Sequence, residues 1–211
     1  MTKQARRLFL SFEGTEGTGK TTQMRMLVER LRGLGYTVTE NQEPGGTPIG
    51  GQIRRLLLDP EHQEMTAMTE LLLMFASRAQ AAAQIITPAL ERGEIVVSDR
   101  FTDSSLAYQG EARQLGFDTV LALHGLALGT LVPDLTLCIS LDVAAGLERA
   151  YQRNLSSDRL DRQSLAFHQS VDRGYRKIAA LEPGRFRLID GGDSPETVAS
   201  RVWSCVEPLL K

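Results

Sequence analysis

Short apolar runs alternate along this chain with longer segments that have helical spacing. The runs are RRLFLSF, YTVTE, EIVVSD, LTLCISLD and RFRLID. Between them, apolar residues recur about 3.6 positions apart, as they do at Met24, Leu27, Val28 and Leu31. This alternation predicts an α/β fold, a doubly wound, five-stranded parallel sheet flanked by helices. Ligands of such folds bind beyond the carboxyl ends of the strands.

Composition narrows the functional classes. The chain has 211 residues, of which 42% are hydrophobic and 24% charged, enough for one buried core, so we expect residues 1–211 to form a single domain. A net charge of -2 argues against a nucleic-acid partner. No apolar run approaches the length of a membrane span, so we expect no membrane partner. Cys138 and Cys205 lack metal-ligand spacing, which favours reduced cysteines in a cytoplasmic protein.

A phosphate-binding loop follows the first predicted strand. The segment GTEGTGKT matches G-x-x-x-x-G-K-[ST] and lies between a strand, Leu8 to Phe12, and a helical pattern, Thr22 to Leu31. Its glycines let backbone N–H groups turn inward, and the helix N-terminus adds partial positive charge. We therefore expect a nucleoside triphosphate to bind Gly14, Thr15, Glu16, Gly17, Thr18, Gly19, Lys20 and Thr21. Lys20 would reach the β- and γ-phosphates, and the Thr21 hydroxyl would ligate Mg²⁺.

Two carboxylates end predicted strands near this loop. Asp99 closes the run EIVVSD, where P-loop enzymes place a second carboxylate that orients Mg²⁺ or its waters. Glu13 ends the first strand and would touch metal-bound water or a nearby arginine, although a structural role fits it equally well. A guanine-specific switch would carry an N-K-x-D motif, which this sequence lacks.

Four further motifs follow the loop in order. They are EPGGTPIGGQIRRLLLD, LLLMFASRAQ, SDRFTDSSLAYQG and LERAYQRNLSSDRLDR. With the loop they resemble bacterial thymidylate kinases, members of the nucleoside monophosphate kinases, over nearly the whole chain. The resemblance implies transfer of the γ-phosphoryl group of Mg·ATP to dTMP, in a homodimer packed through helices. Two alternatives stay open: a kinase for another deoxynucleotide or deoxynucleoside, and an ATP-dependent regulatory switch.

The resemblance also implies the residues that bind dTMP. Arg54 and Arg100 would hold the 5'-phosphate, and Arg78 would hydrogen-bond the base. Glu16 would accept a hydrogen bond from the 3'-hydroxyl of the deoxyribose. The base edge and the sugar would be contacted by Ser105, Gln109 and Tyr108.

The chain departs from the resembled pattern at two points. The family has an aromatic residue one helical turn before the base-reading arginine, but here Met74 holds that position and Phe75 is displaced by about 100° around a helix. Either residue could pack on the base. Gln42 also stands where the family usually has an arginine before E-P-G-G-T.

An arginine-rich segment, roughly 151–162, has the polar composition of a mobile lid. The phosphate-binding loop has no arginine between Thr15 and Thr18, so the lid should supply a cation to the transition state. We expect Arg153 to do so, with Arg149 nearer the adenine and Arg159 nearer the phosphates. The expected catalytic residues are therefore Lys20, Arg100, Arg153 and Arg159.

Overall fold

The computed structural model describes residues 7–152 and 158–210, and its five strands form one parallel sheet in the order β2-β3-β1-β4-β5. This confirms the predicted fold class and all five predicted strands. The strands are β1 Leu8–Glu13, β2 Val38–Gln42, β3 Ile95–Asp99, β4 Leu135–Ser140 and β5 Phe186–Asp190. The chain leaves β1 toward one edge of the sheet and β4 toward the other, which opens a crevice at their carboxyl ends.

Helices cover both faces of the sheet. The α-helices of the described ranges are α1 Lys20–Gly33, α2 Pro48–Leu58, α3 Ala67–Ala81, α4 Thr87–Glu91, α5 Thr102–Ser105, α6 Phe117–Leu128, α7 Val143–Gln152, α8 Leu165–Leu181 and α9 Pro195–Val206. Two π-helical segments, Ala82–Ile86 and Leu106–Ala112, continue α3 and α5, and a 3-10 turn, Glu207–Leu210, follows α9. Side-chain hydroxyls cap four helix starts by accepting from a backbone N–H three residues later, at Thr47, Thr66, Ser164 and Ser194.

The central strands are buried on both faces, as parallel strands between two helical layers must be. On one face α1 and α9 pack through residues such as Leu27 and Val202. On the other face α8 packs against the π-helical segment Leu106–Ala112, through residues such as Tyr175 and Leu106. The loops at the carboxyl edge are thereby held on a rigid base.

The phosphate-binding loop is held tightly by its surroundings. Gly17 has φ 70°, and a Cβ built on it would lie 1.8 Å from the carbonyl oxygen of Gly146, so only glycine fits where α7 crosses the loop. Arg100, directly after β3, also has a left-handed backbone, with φ 72°. Such a backbone is uncommon for a residue with a side chain, and it turns Arg100 back over the loop.

Two further observations bear on the composition. Neither cysteine forms a disulfide, and Cys138 is buried in β4. Within the described residues, every helix is too short or too polar to cross a bilayer.

Candidate active site

One cavity of about 750 Å³ lies beyond the carboxyl ends of β1 and β3, bordered by α2, α3 and α7. Its volume falls within the usual range for a site that binds small molecules. The structure brings most predicted site residues to its wall, namely Thr15, Glu16, Gly17, Thr18, Gly19, Lys20, Thr21, Arg54, Met74, Arg78, Asp99, Arg100, Ser105, Tyr108 and Gln109.

The phosphate-binding loop forms one end of this cavity. Gly19 precedes α1 in a left-handed conformation and offers no side chain to cap it, so the first N–H groups of α1 remain available to an anion. The Thr18 hydroxyl donates to the Thr15 carbonyl oxygen at 3.0 Å and braces the loop. Lys20 Nζ lies 3.1 Å from Asp99 Oδ1, and both side chains are almost buried. A phosphate at this end would compete with Asp99 for the lysine.

Thr21 and Asp99 are the oxygen donors at this end that suit Mg²⁺. A hydroxyl and a carboxylate are hard ligands, as this cation prefers. The described residues contain no cluster of three or more His, Cys, Asp or Glu side chains that could hold a metal ion alone. A magnesium ion would therefore complete its shell with phosphate oxygens and water, which is how nucleotide-bound Mg²⁺ is usually held.

Arg100 connects the two ends of the cavity. Its guanidinium donates to Ser104 Oγ at 3.1 Å, to Tyr175 OH at 3.2 Å and to Glu16 Oε1 at 3.2 Å. Arg54, which donates to the Pro44 carbonyl oxygen at 2.8 Å, lies in the same wall. Two arginines from outside the phosphate-binding loop thus line the same cavity as Lys20.

Glu16 is the acid inside the phosphate-binding loop. Its Oε1 accepts from Tyr108 OH at 2.8 Å as well as from Arg100, and its Oε2 lies 3.1 Å from His168 Nδ1. Burial alone would raise the pKa of Glu16, but His168 and the charge of Arg100 outweigh it and lower that pKa to about 2. The group is an ionised acceptor at neutral pH.

Arg78 is held rigidly at the cavity wall by three partners. Its Nε donates to Glu43 Oε2 at 2.5 Å, Nη1 to Ser105 Oγ at 3.0 Å and Nη2 to the Phe101 carbonyl oxygen at 3.1 Å. Burial raises the pKa of Glu43, although the charge of Arg78 works in the opposite direction. Glu43, the first residue of E-P-G-G-T, therefore serves here to position the arginine.

The structure separates the two residues that could pack on a base. Met74 lines the cavity, whereas Phe75 is buried and packs against the Arg78 guanidinium. The Arg78 Cζ atom lies 4.7 Å from the centroid of the Phe75 ring. The displacement of Phe75 by one position turns its ring into the core, so the structure favours Met74 over Phe75 as the residue that could pack on a base. Gln109 reaches the wall but also donates to Glu70 Oε1 at 2.9 Å.

Glu13 is not placed as a metal ligand. Its carboxylate is fully buried behind the loop and accepts from Ser11 Oγ at 2.9 Å, Phe101 N at 2.8 Å, Ser104 Oγ at 2.5 Å and Tyr175 OH at 3.0 Å. Burial and the nearby Asp103 carboxylate raise its pKa. Four donors occupy both oxygens, which favours the structural alternative for Glu13 over contact with metal-bound water.

Arg159, predicted to lie near the phosphates, contacts a buried counterion in this structure. It is 2% exposed, its Nη2 donates to Glu70 Oε2 at 2.6 Å, and its Nε donates to the Leu57 carbonyl oxygen at 2.8 Å. The turn that carries it is thus fastened onto α2 and α3, and the guanidinium does not line the cavity. Arg153 lies outside the described residues. Arg149 lines a second cavity of about 350 Å³ on the far side of Gly19, beside Gly191 and the start of α9.

Sequence reasoning missed the polar residues beneath the cavity. Glu70, His168 and Tyr175 contact predicted site residues from below. His168 and Tyr175 lie seven residues apart, two helical turns, so they share one face of α8. Two polar side chains on an otherwise apolar helix face were a signal that could have identified both.

This geometry agrees with what comparison with known proteins finds. The family model described as thymidylate kinase matches residues 12–202. A thymidylate kinase of Lactobacillus delbrueckii subsp. bulgaricus is 47% identical over 197 residues, covering 92% of this chain and 93% of the relative. One of Bacillus licheniformis is 43% identical over 205 residues, covering 97% of each. The crystal structure of thymidylate kinase from Ehrlichia chaffeensis is 30% identical, with a TM-score of 0.79 over 96% of this chain and 99% of that one.

Proposed function

Because the chain belongs to the thymidylate kinase family and is therefore a dTMP kinase, we propose that the γ-phosphoryl group of ATP is transferred to dTMP inside the cavity of about 750 Å³. One observation carries this assignment to the site. The same cavity is lined by a phosphate-binding loop with Lys20 and by two arginines from outside that loop, Arg54 and Arg100. Two anionic substrates brought together for phosphoryl transfer need this arrangement of cations.

ATP would occupy the loop end. Its phosphates would lie against the N-terminus of α1 with Lys20 on the β- and γ-phosphates, and its adenine would lie toward Arg149. Magnesium would be held by Thr21, Asp99 and the nucleotide, and would neutralise charge on the transferring group. Lys20 would then exchange its contact with Asp99 for the phosphates.

The acceptor dTMP would occupy the other end. Arg54 and Arg100 would hold its 5'-phosphate, Arg78 and Ser105 would contact the base, and Met74 would pack on the ring. Glu16, ionised and facing the cavity, would accept from the 3'-hydroxyl, and Tyr108 would border the sugar. No protein nucleophile is needed, since a phosphate oxygen of dTMP attacks in line.

Within this proposal residues 1–211 act as a single cytoplasmic kinase domain, and a lid of roughly 151–162 closes over ATP. Since Arg159 is fastened to Glu70, Arg153 is our candidate for the lid arginine that stabilises the transition state.

A panel of acceptors tests the function. ADP release should be measured by a coupled assay with Mg·ATP and each of the deoxynucleoside monophosphates and deoxynucleosides. We expect kcat/KM to be highest for dTMP. A higher value for a nucleoside would favour the alternative kinase, and slow ADP release with every acceptor would favour an ATP-dependent switch.

We further propose a homodimer. Apolar side chains that are 43% to 85% exposed occur on three adjacent helices, α2, α3 and α6: Ile49, Leu56, Met68, Leu72, Leu121 and Leu126. A contiguous apolar face of this kind marks an interaction surface. Sedimentation velocity should show a dimer that Leu72→Glu converts to monomer. The control Leu181→Glu, at an exposed site on α8, should leave the dimer intact, and a monomeric wild type would contradict the proposal.

A further inference from the structure

A buried histidine lies directly beneath the acid of the phosphate-binding loop. His168, on the first turn of α8, is fully buried, and its Nδ1 is 3.1 Å from Glu16 Oε2. We infer that His168 is a positioning residue for the acceptor sugar, whose Nδ1–H holds the Glu16 carboxylate where it accepts from the 3'-hydroxyl of dTMP. This inference deepens the proposed function and rests on it.

The two oxygens of Glu16 are used differently. Oε1 accepts from both Tyr108 OH and Arg100 Nη2. Oε2 is buried, with the His168 ring beside it. Because Glu16 lines the cavity but its Oε2 is buried, a hydroxyl approaching from the sugar would donate to Oε1 and would share or replace the contacts with Tyr108 and Arg100. Holding Oε2 against His168 therefore fixes the direction in which Oε1 faces the sugar.

Within residues 7–152 and 158–210, the His168 ring has no polar contact besides Glu16 that would explain its burial. Among the residues described, neither of its ring nitrogens nor Glu16 Oε2 has a well-aligned hydrogen-bond partner, although the two groups are in contact. Buried polar atoms of native proteins are normally paired, and contacts around a substrate often become aligned only when it binds. A small rotation of the carboxylate toward the ring would pair Oε2 with Nδ1.

The tautomer follows from the same burial. A proton on Nδ1 points at an ionised carboxylate, whereas a proton on Nε2 would be a buried donor with no acceptor among the described residues. A proton on Nδ1, facing the Glu16 carboxylate, is therefore favoured over a single proton on Nε2.

The helix that carries His168 is held closely enough to act as a support. A Cβ added to Gly174 of α8 would lie 2.8 Å from Ala107 Cα. The backbones of α8 and of the π-helical segment Leu106–Ala112 are therefore almost in contact at this point. Tyr175 on the same face contacts Arg100. Accurate substrate positioning requires that the residues contacting the substrate are themselves held in place by buried hydrogen bonds from a rigid element.

Two variants of equal shape test the inference. His168→Asn keeps an N–H donor near the position of Nδ1, and His168→Leu has the same branched shape without a donor. KM and kcat should be measured at saturating Mg·ATP for dTMP and for 2',3'-dideoxythymidine 5'-monophosphate, which lacks the 3'-hydroxyl. KM for ATP should be measured separately at saturating dTMP. For His168→Leu we expect KM for dTMP to rise about tenfold, KM for the dideoxy acceptor to change less than about twofold, and KM for ATP to stay unchanged. His168→Asn should keep most of the preference for dTMP.

The ratio of the two acceptor KM values is the deciding quantity, because a merely structural residue would change both alike. Equal changes for both acceptors, or equal behaviour of the Asn and Leu variants, would overturn the inference. A wild type that does not distinguish the two acceptors would also overturn it, since Glu16 would then not read the hydroxyl. Failure of the proposed function looks different: the wild type would phosphorylate neither acceptor. If His168→Leu does not fold, His168→Phe, which keeps a ring without nitrogen, should show the same loss of preference.

Discussion

Replacing Arg159 by methionine separates a structural arginine from a catalytic one. The substitution keeps an unbranched apolar stem but removes the donors to Glu70 Oε2 and to the Leu57 carbonyl oxygen. Removing one partner of a buried ion pair usually costs about 3–5 kcal/mol. Glu70 would keep Arg113 and Gln109, so we take the lower end, about 3 kcal/mol. For a chain of this length that corresponds to a fall in Tm of about 6–12 °C.

Thermal unfolding and steady-state kinetics on the same preparation measure both roles of Arg159. The kinetics should be run well below the Tm of the variant, where we expect kcat within about threefold of wild type. The control is Arg173→Met on α8, where the arginine is exposed and its guanidinium donates only to Ser170 Oγ. Such a surface substitution should change stability by no more than about 0.5 kcal/mol.

The opposite pattern would refute this reasoning. If Arg159→Met unfolded at the wild-type temperature but lost kcat by about 100-fold or more, Arg159 would leave Glu70 during turnover and act on the phosphates. The original sequence-based prediction would then be right, and the buried ion pair would describe only one position of the lid.

Two further predictions concern the loop itself. Lys20→Met should lower kcat by about 10³-fold or more, because the lysine is proposed to contact the transferring group. It should leave Tm within a few degrees, because the contact it loses is the one with Asp99. Kinetics and thermal unfolding measure both effects, and near-normal turnover would remove Lys20 from the site. Glu16 has its pKa lowered from 4.5 to about 2, so its stabilisation of the fold, about 3 kcal/mol, is present above pH 4.5 and lost as the pH falls toward 2. Urea unfolding from pH 6 to pH 3 should therefore show a smaller loss of stability for Glu16→Gln than for wild type, and parallel curves would contradict the lowered pKa.

The parts of the fold that could be predicted are those encoded in contiguous stretches. Strand β3 is an unbroken apolar run in the sequence because it is buried on both faces. The loop is recognisable as a motif because the residues expected to contact phosphate are eight successive ones. Met74 and Phe75 mark the limit of this reasoning. The sequence places both near Arg78, but only packing decides which side chain points into the cavity.

Arg159 and Glu13 show why the rest could not be predicted. Each lies in a segment whose motif borders the site, but each contacts a partner distant in sequence instead of lining the cavity. Arg159 contacts Glu70, and Glu13 contacts Tyr175 and Ser104. A charged side chain near a binding motif can point to the ligand or to a buried counterion. The sequence alone does not distinguish these two orientations. The buried partner is visible only when the helices are assembled.

The buried face of α8 supports two residues proposed to bind the acceptor, Glu16 and Arg100. His168 contacts the acid of the phosphate-binding loop, and Tyr175, two turns later, contacts Arg100 and Glu13. Both residues proposed to hold the sugar and the phosphate of the acceptor are therefore supported by one helix, whereas Lys20 and Thr21 belong to α1. Since α8 begins soon after the segment proposed as a lid and contacts Glu16 of the phosphate-binding loop directly, a displacement of α8 would disturb the proposed acceptor contacts and the loop together.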